Sequence, residues 1–190
     1  MRKKQNIIRA AIHLFASQGF DGTTTLQISH EAQVTEPLIY YHFKGKEDLF
    51  TCILEKAFVD YFSLVDGLPS DTATQFERIE NLINLHFDVI AERPDETFLI
   101  TSTCPAKLND LDHICANNIE RQRNVLNGYL CDNLTAGIGS GEFAPVPVPE
   151  TAVLIMAMIS GLVRRRSLKY EDIDSVRRAA IDFLRRSLVQ

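Results

Sequence analysis

The sequence has no tryptophan and lacks a long hydrophobic run. Its longest nearly apolar stretch is Ala152–Val163, which Ser160 and Gly161 interrupt. A helix needs about 20 apolar residues to cross a bilayer, so this stretch is too short to span one. The basic start MRKKQN is not followed by a small-residue cleavage site, and we therefore predict no signal peptide. The protein is expected to be cytoplasmic and not to bind a membrane.

Cysteine is scarce, and its spacing does not favour a metal site. The four cysteines are Cys52, Cys104, Cys115 and Cys131, and none belongs to a C-x-x-C pair. Cysteine-based zinc sites normally contain such pairs, so we predict no metal and no cofactor. In the absence of an export signal, all four thiols are expected to be reduced.

Negative charge predominates, with a net charge of −5, but it is unevenly distributed. Residues 1–56 carry seven Lys or Arg and six Asp or Glu, a net charge of +1. Residues 57–145 carry five and fourteen, a net charge of −9, and residues 146–190 carry eight and five, a net charge of +3. The N-terminal segment is therefore free to approach an anion such as nucleic acid.

Apolar residues recur with helical spacing through nearly the whole chain, and no strand pattern of any length competes. The first helix is expected to stop at Gly19. The predicted helices span residues 3–18, 24–32, 35–42, 46–62, 150–168 and 172–188. Residues Phe76 to Phe87 also repeat helically, and Pro94 and Pro105 divide the next stretch into a short helix and a long one that reaches about Leu134. Residues 66–72 and 137–149 are predicted loops. The predicted fold class is all-α.

Two of the short predicted helices, 24–32 and 35–42, are separated by only two residues, which is helix-turn-helix spacing. In this motif the second helix enters the major groove of DNA. Here the second helix ends in Tyr40, Tyr41 and His42, whose side chains can donate to phosphate oxygens. The alternative is that one tyrosine belongs to the core and exposes only its hydroxyl.

The stretch Ile7–Phe50 resembles the DNA-binding domain of the tetracycline-repressor (TetR) family of bacterial transcription regulators. The residues that carry the resemblance are Leu14, Phe15, Ala16, Gly19, Phe20, Thr23, Thr24, Ile28, Ala32, Val34, Thr35, Ile39, Tyr40, His42, Phe43, Lys46 and Leu49. Gln33 departs from the family, which usually has glycine in this turn, and a left-handed glutamine costs about 1 kcal/mol. The resemblance implies a three-helix DNA-binding domain over residues 1–50 and a larger helical domain for ligand binding and dimerisation over residues 51–190.

The first residues of the second helix are the candidates for contact with base edges, namely Thr35, Glu36, Pro37 and Leu38. Glu36 can accept a hydrogen bond from a cytosine amino group, and Pro37 or Leu38 can contact a thymine methyl group. Two alternatives stay open. Glu36 can instead complement the helix dipole, and Pro37 can serve only to start the helix.

Phosphate contacts are expected from side chains and from a helix start. The candidates are Tyr40, Tyr41, His42, Lys46, Thr24 and Thr25. The first four have donors suited to phosphate oxygens. The two threonines are included because the free backbone N–H groups at a helix start also bind phosphate.

The stretch Ala152–Val163 is apolar on all sides, so a helix there needs cover on every side. One face can contact its own core and another a second subunit, giving a four-helix interface in a homodimer. The predicted interface residues are Ile155, Met158, Ile159, Leu162, Val176, Ala180, Phe183 and Leu184. The alternative is a purely intramolecular core.

The helices between residues 73 and 134 combine many apolar with a few polar side chains, the usual composition of a small-molecule pocket. The candidate ligand contacts are His86, Phe87, Ile90, Phe98, Thr101 and His113. Each is also a candidate core residue. Neither histidine has a second ligand at i+3 or i+4, which argues against a metal. The effector is expected to be a largely apolar small molecule.

These features predict a homodimeric transcriptional regulator that binds double-stranded DNA at an inverted-repeat operator, as a repressor that a small-molecule effector releases. An enzyme would need a nucleophile with an orienting base or a metal cluster, and neither pattern is found. The other alternative is a helical ligand-binding module that does not bind DNA. The intact stretch Thr35–Lys46 argues against it.

Overall fold

The structure is a computed structural model that describes residues 2–101, 105, 108, 114–164 and 173–190. Over these residues the chain forms helices, and the only β feature among them is an isolated bridge between Phe143 and Val189. The helices are α1 (Arg2–Gly22), α2 (Thr25–Glu31), α3 (Glu36–His42), α4 (Lys46–Asp66), α5 (Gln75–Glu92), α6 (Pro94–Thr101), α7 (Ile114–Ser140), α8 (Val148–Arg164) and α9 (Ile173–Leu188). The predicted all-α class is confirmed for this part of the chain.

The chain divides into two compact units. The first contains Met1–Asp60 and Asp95–Ile119, and the second contains Tyr61–Pro94 and Glu120–Gln190. The division falls within α4 (Lys46–Asp66), after Asp60, and the predicted domain boundary at residue 50 lies within the same helix. A boundary at residue 50 therefore stays a prediction.

In the first unit, α1, α2 and α3 pack on one another around a small core. The rings of Phe15 and Phe20 both contact Phe50, with centroids 5.1 and 5.0 Å away. Gly19 interrupts α1 at the predicted stop, with φ 81°, and the chain makes one more helical turn to Gly22. Glycine suits this position because it adopts positive φ without a steric penalty.

The turn between α2 and α3 has the conformation that the sequence predicts. Gln33 adopts φ 53°, the left-handed region in which a side chain is unfavourable. The turn is closed by the Val34 N–H, which donates to the Ser29 carbonyl at 3.0 Å. The predicted capping box is also present at the start of α2, between Thr24 and Gln27. These contacts fix the angle at which α3 leaves the turn.

Two helices run further than the sequence predicts. α4 continues to Asp66, and α7 continues to Ser140 through two glycines of the predicted loop. A Cβ atom on Gly137 would lie 2.8 Å from Cγ of Phe143 and closer still to two other atoms of that ring. Gly137 is therefore a packing requirement within a helix, and the prediction of a loop from this residue was wrong.

The loop after α7 fastens three parts of the second unit. The Glu142 carboxylate accepts hydrogen bonds from the backbone N–H groups of Gln75 and Phe76, both at 2.8 Å. These N–H groups lie in the first turn of α5, where they have no partner within the helix. The neighbouring Phe143 is 1% exposed and forms the bridge with Val189 near the end of the chain.

The cysteines differ from one another. Cys52 and Cys131 are free thiols. Cys115, in the first turn of α7, is disulfide-bonded, so the prediction that all four cysteines are reduced was wrong at this residue. Cysteine spacing in the sequence does not show which thiols come within bonding distance. Cys104 lies outside the described residues.

Two absences concern residues 2–101, 105, 108, 114–164 and 173–190, the part of the chain that the structure describes. No helix there is long and apolar enough to cross a membrane. In the same ranges, no group of three or more His, Cys, Asp or Glu side chains is placed to hold a metal ion.

Candidate nucleic-acid interface

The helix α3 is anchored on one side and exposed on the other. Ile39 is completely buried, whereas Tyr40 and Tyr41 are 55% and 80% exposed. Pro37 lies in the first turn, where its missing N–H has no helical partner to lose. Both tyrosines are therefore surface residues, and the alternative of a tyrosine in the core is not supported.

The predicted base-edge residues lie at the start of this exposed helix. Thr35 is the N-cap, but its side chain makes no capping hydrogen bond. Thr35 and Pro37 are exposed, and Leu38 is half-buried. The Thr35 hydroxyl is thus not used to cap the helix, and it is available to another partner.

Glu36 links α3 to α2. Its Oε1 accepts a hydrogen bond from the Thr25 hydroxyl at 2.6 Å, and the same Thr25 oxygen lies 3.3 Å from the Tyr40 hydroxyl. Glu36 and Thr25 are half-buried. Three of the predicted DNA-contacting side chains are therefore joined in one hydrogen-bonded group, which we call the Tyr40–Thr25–Glu36 chain.

The backbone N–H and the hydroxyl of Thr24 are both hydrogen-bonded to Gln27. The Thr24 backbone N–H and hydroxyl both donate to Gln27 Oε1, at 2.8 and 3.1 Å, and the hydroxyl accepts from the Gln27 N–H at 3.2 Å. A phosphate contact from Thr24 would therefore require the capping box to open. The observed role of Thr24 is to cap the start of α2.

Lys46 also has an internal role. Its ammonium donates to the carbonyls of Phe20 and Thr23, at 2.8 and 2.9 Å, and lies 4.3 Å from the centre of the Phe20 ring. An ammonium has three N–H donors, so one is left for a phosphate. The residue fastens the end of α1 to the start of α4.

Tyr41, which is 80% exposed, remains an accessible phosphate candidate, and His42 lies beside it. Their rings are in contact, with centroids 4.9 Å apart, and His42 is half-buried. Leu26 on α2 was not predicted as a surface residue, and its apolar side chain is 52% exposed. The buried positions of this short helix are Ile28 and Ser29. Leu26 is not on that buried face, and its position in the helix could have predicted its exposure.

The six candidate ligand contacts are distributed over both units. His86, Phe87 and Ile90 belong to the second unit, Phe98 and Thr101 belong to the first, and His113 lies outside the described residues. His86 and Phe87 are buried, while Ile90, Phe98 and Thr101 are half-buried. The Thr101 hydroxyl donates to the Thr97 carbonyl at 2.8 Å. Their role in ligand binding stays a prediction.

His86 is part of a buried hydrogen-bonded group. Its Nδ1 lies 2.7 Å from the Leu82 carbonyl, which can only accept, so Nδ1 carries the proton. Burial lowers the pKa of His86, an effect that the Leu82 hydrogen bond partly opposes. The ring is therefore neutral, and its Nε2 accepts from the Tyr61 hydroxyl at 3.0 Å.

The group extends to Gln122. Burial raises the pKa of the Tyr61 hydroxyl, and a hydrogen bond from the Gln122 side chain partly offsets this. Because Tyr61 gives its one proton to His86, the Gln122 amide must be the donor. Neither Tyr61 nor Gln122 was predicted from the sequence, because their contact joins residues that are far apart in the chain and no local pattern encodes it.

The predicted dimer residues are mostly covered within the single chain. Ile155, Ile159, Ala180 and Leu184 are buried, Met158 and Val176 are half-buried, Phe183 is 65% exposed, and the side chain of Leu162 lies outside the described residues. A buried side chain has little surface left for a partner. Among the described side chains of α8, the large apolar ones that are exposed are Val153 and Leu154, at 58% and 70%. A helix that is apolar on all sides gives no periodicity from which to choose them.

Known proteins share this N-terminal arrangement. Residues 7–52 match the family model described as bacterial regulatory proteins, tetR family. The HTH-type transcriptional repressor NicS of Pseudomonas putida is 31% identical over 94 residues, which cover 50% of this chain and 44% of NicS. The chain thus spans less than half the length of this curated relative.

Solved structures of similar fold extend over nearly the whole chain. The ketosteroid transcriptional regulator KstR2 of Mycobacterium tuberculosis has a TM-score of 0.85 at 20% identity, covering 100% of this chain and 96% of its own. AibR, solved in complex with isovaleryl coenzyme A and operator DNA, has a TM-score of 0.78 at 16% identity, covering 96% and 97%. At these identities the likeness shows the fold. The N-terminal segment, residues 7–52, thus matches the tetR family of bacterial regulatory proteins, and the fold of the whole chain is similar to that of these solved regulators.

Proposed function

We propose that this chain is a transcriptional regulator that binds double-stranded DNA as a homodimer at an inverted-repeat operator. The observation that carries the proposal is the geometry of α3, which is held by the buried Ile39 and exposes Thr35, Pro37 and Tyr41. A short helix exposed in this way fits the major groove with its first residues at base edges. The family match over residues 7–52 supports the same function. Such a regulator acts in the bacterial cytoplasm.

The dimer in this proposal is formed through exposed apolar side chains of α8 and α9. Val153, Leu154 and Phe183 are each more than half exposed, and exposed apolar patches mark interaction surfaces. Two recognition helices must lie roughly 34–36 Å apart to contact half-sites one DNA turn apart. A homodimer satisfies this requirement with one α3 from each subunit.

The regulator in this proposal is a repressor that a small-molecule effector releases. The name of NicS describes a repressor, and AibR was solved with both an acyl coenzyme A and operator DNA. Acyl coenzyme A thioesters are therefore the first class to test as effectors here. A ligand that binds one arrangement of the helices shifts the population toward it, and a coupling of about 1–3 kcal/mol changes DNA affinity roughly 5–150-fold.

The proposal is tested by selecting bound duplexes from a random DNA pool with the full chain. We expect an inverted repeat to be enriched, and affinity for it to fall steeply with salt because phosphate binding releases counterions. Light scattering should show a dimer at micromolar concentration. If no sequence is enriched and no duplex binds at low salt, the chain is the alternative, a helical ligand-binding module.

The effector is tested by calorimetry with and without the selected operator. Because coupling between two binding sites is reciprocal, an effector that weakens DNA binding must itself bind more weakly when DNA is present. Equal effector affinity in both titrations contradicts release by that effector and leaves DNA binding intact.

A further inference from the structure

The direction of each hydrogen bond in the Tyr40–Thr25–Glu36 chain follows from counting protons. A carboxylate can only accept, and Thr25 has a single hydroxyl proton. That proton goes to Glu36 Oε1, since the two oxygens are 2.6 Å apart, a distance typical of a short hydrogen bond to a charged group. The 3.3 Å contact between Thr25 and Tyr40 must then be a donation from the Tyr40 hydroxyl.

This direction determines what the chain can offer to DNA. Both hydroxyl protons point inward, toward Thr25 and then Glu36. The acceptors that remain are the lone pairs of the Tyr40 oxygen, on a side chain that is 55% exposed, and the second carboxylate oxygen of the half-buried Glu36. All of these are acceptors, so this part of the surface favours a hydrogen-bond donor on the DNA.

The donors that DNA exposes in the major groove are the exocyclic amino groups, N4 of cytosine and N6 of adenine. Phosphate oxygens, guanine O6 and N7, and thymine O4 are acceptors and would face the carboxylate unfavourably. Glu36 is in the first turn of α3, the part of a recognition helix that lies at base edges.

We infer that Glu36 is a specificity-determining residue that accepts a hydrogen bond from a base amino group, and that Thr25 and Tyr40 position its carboxylate. The inference rests on the proposed DNA-binding function and adds the chemistry of one base contact. It also assigns different roles to the two tyrosines. Tyr40 positions Glu36, whereas Tyr41, which is 80% exposed, donates to phosphate.

The test selects DNA from a random pool with the full chain and with Glu36→Ala, Glu36→Gln, Tyr40→Phe and Tyr41→Phe. The wild type should prefer cytosine or adenine at one position of each half-site by roughly tenfold or more. Glu36→Ala should reduce that preference to about twofold or less while the other positions keep theirs. If the base is cytosine, Glu36→Gln should shift the preference to adenine, which glutamine can contact with two hydrogen bonds, and if it is adenine the preference should persist.

The two tyrosine variants are a matched pair, since each loses one hydroxyl. Tyr40→Phe should weaken the preference at the Glu36 position alone, and Tyr41→Phe should weaken binding to all sequences by the same factor. Thermal melts must first show that each variant is folded. The inference would be overturned if Glu36→Ala kept the base preference of the wild type, or if it bound every sequence more tightly by the same factor. Either result would leave the proposed DNA binding intact. A wild type that enriches no sequence and binds no duplex would overturn the proposed function as well.

Discussion

Each of the two units contains a hydrogen-bonded group with a tyrosine hydroxyl in it, and the two groups end differently. In the first unit, Tyr40 donates to Thr25, which donates to Glu36 at the protein surface. The last member is a carboxylate that has a further oxygen able to accept. The group therefore ends in an acceptor that can take a further hydrogen bond from a donor outside the protein.

The group of the second unit is closed. Tyr61 donates to His86, and His86 donates to the Leu82 carbonyl one turn earlier in α5. Tyr61 and His86 are 4% and 5% exposed. A tyrosine hydroxyl in a hydrogen-bonded group is therefore no indicator of function by itself. The two groups differ in the last acceptor, which is a backbone carbonyl within α5 in one and a half-buried carboxylate with a second oxygen in the other.

The largest expected effect compares two neighbouring residues of α8, because Leu154 is 70% exposed and Ile155 is 1% exposed. Ile155→Glu should destabilise the chain by about 3–5 kcal/mol, since it buries an unpaired charge. Leu154→Glu should keep the fold, with its helix content and melting temperature near those of the wild type, and convert the dimer to a monomer. Light scattering and thermal melts measure both. A folded Leu154→Glu dimer would place the interface elsewhere.

A second pair compares two glycines of α7. Gly137→Ala should cost about 3 kcal/mol, because the new methyl group overlaps the buried ring of Phe143 and overpacking destabilises. Gly139→Ala is the control, since a Cβ there meets nothing within 4 Å, and it should leave stability unchanged or raise it slightly. Urea unfolding compares them. Equal stabilities of the two variants would contradict the close packing at Gly137.

The difference between Tyr61 and Tyr40 is tested by the free energy of unfolding of the two phenylalanine variants. Tyr61→Phe should cost about 1–3 kcal/mol, because it removes the donor to His86 Nε2 and leaves that buried acceptor without its partner. Tyr40→Phe should change stability by less than about 0.5 kcal/mol, as expected for a surface site. The free energies of unfolding decide this. Similar losses in both variants would show that the surface group is structural too.

The smallest effect is a dependence on pH. Burial lowers the pKa of His86 below its ordinary value of 6.5, so below that pH the unfolded chain binds a proton that the folded chain does not. Stability should be full above about pH 6.5 and decline as the pH falls toward the folded pKa, by at most about 1.4 kcal/mol per pH unit from this residue. His86→Gln should show a shallower decline. The same slope in both proteins would contradict a neutral buried histidine.

Sequence patterns predicted the elements that depend on local chemistry. The helix start at Thr24, the left-handed turn residue Gln33 and the stop at Gly19 all follow from the conformational preferences of single residues. What could not be predicted depends on distant partners. Spacing does not show that Phe143 will cover Gly137, nor which face of the apolar α8 turns inward.

The candidate site was predicted only as far as it depends on local sequence patterns. The sequence correctly indicated that the tyrosines of α3 are surface residues, because they follow a helix-turn-helix pattern. It did not show that Lys46 reaches the carbonyls of Phe20 and Thr23, or that Glu36 accepts from Thr25. These contacts join residues 11 to 26 positions apart, which no local pattern encodes.

The most direct test of the central claim is the affinity of the full chain for its selected duplex and for a scrambled duplex, measured across a series of salt concentrations. The account predicts that the logarithm of the binding constant falls linearly with the logarithm of salt concentration. It also predicts that the selected duplex binds about 10³-fold or more tightly than the scrambled one at physiological salt. Equal affinity for both duplexes, or binding that does not change with salt, would contradict the claim that this chain recognises an operator through α3.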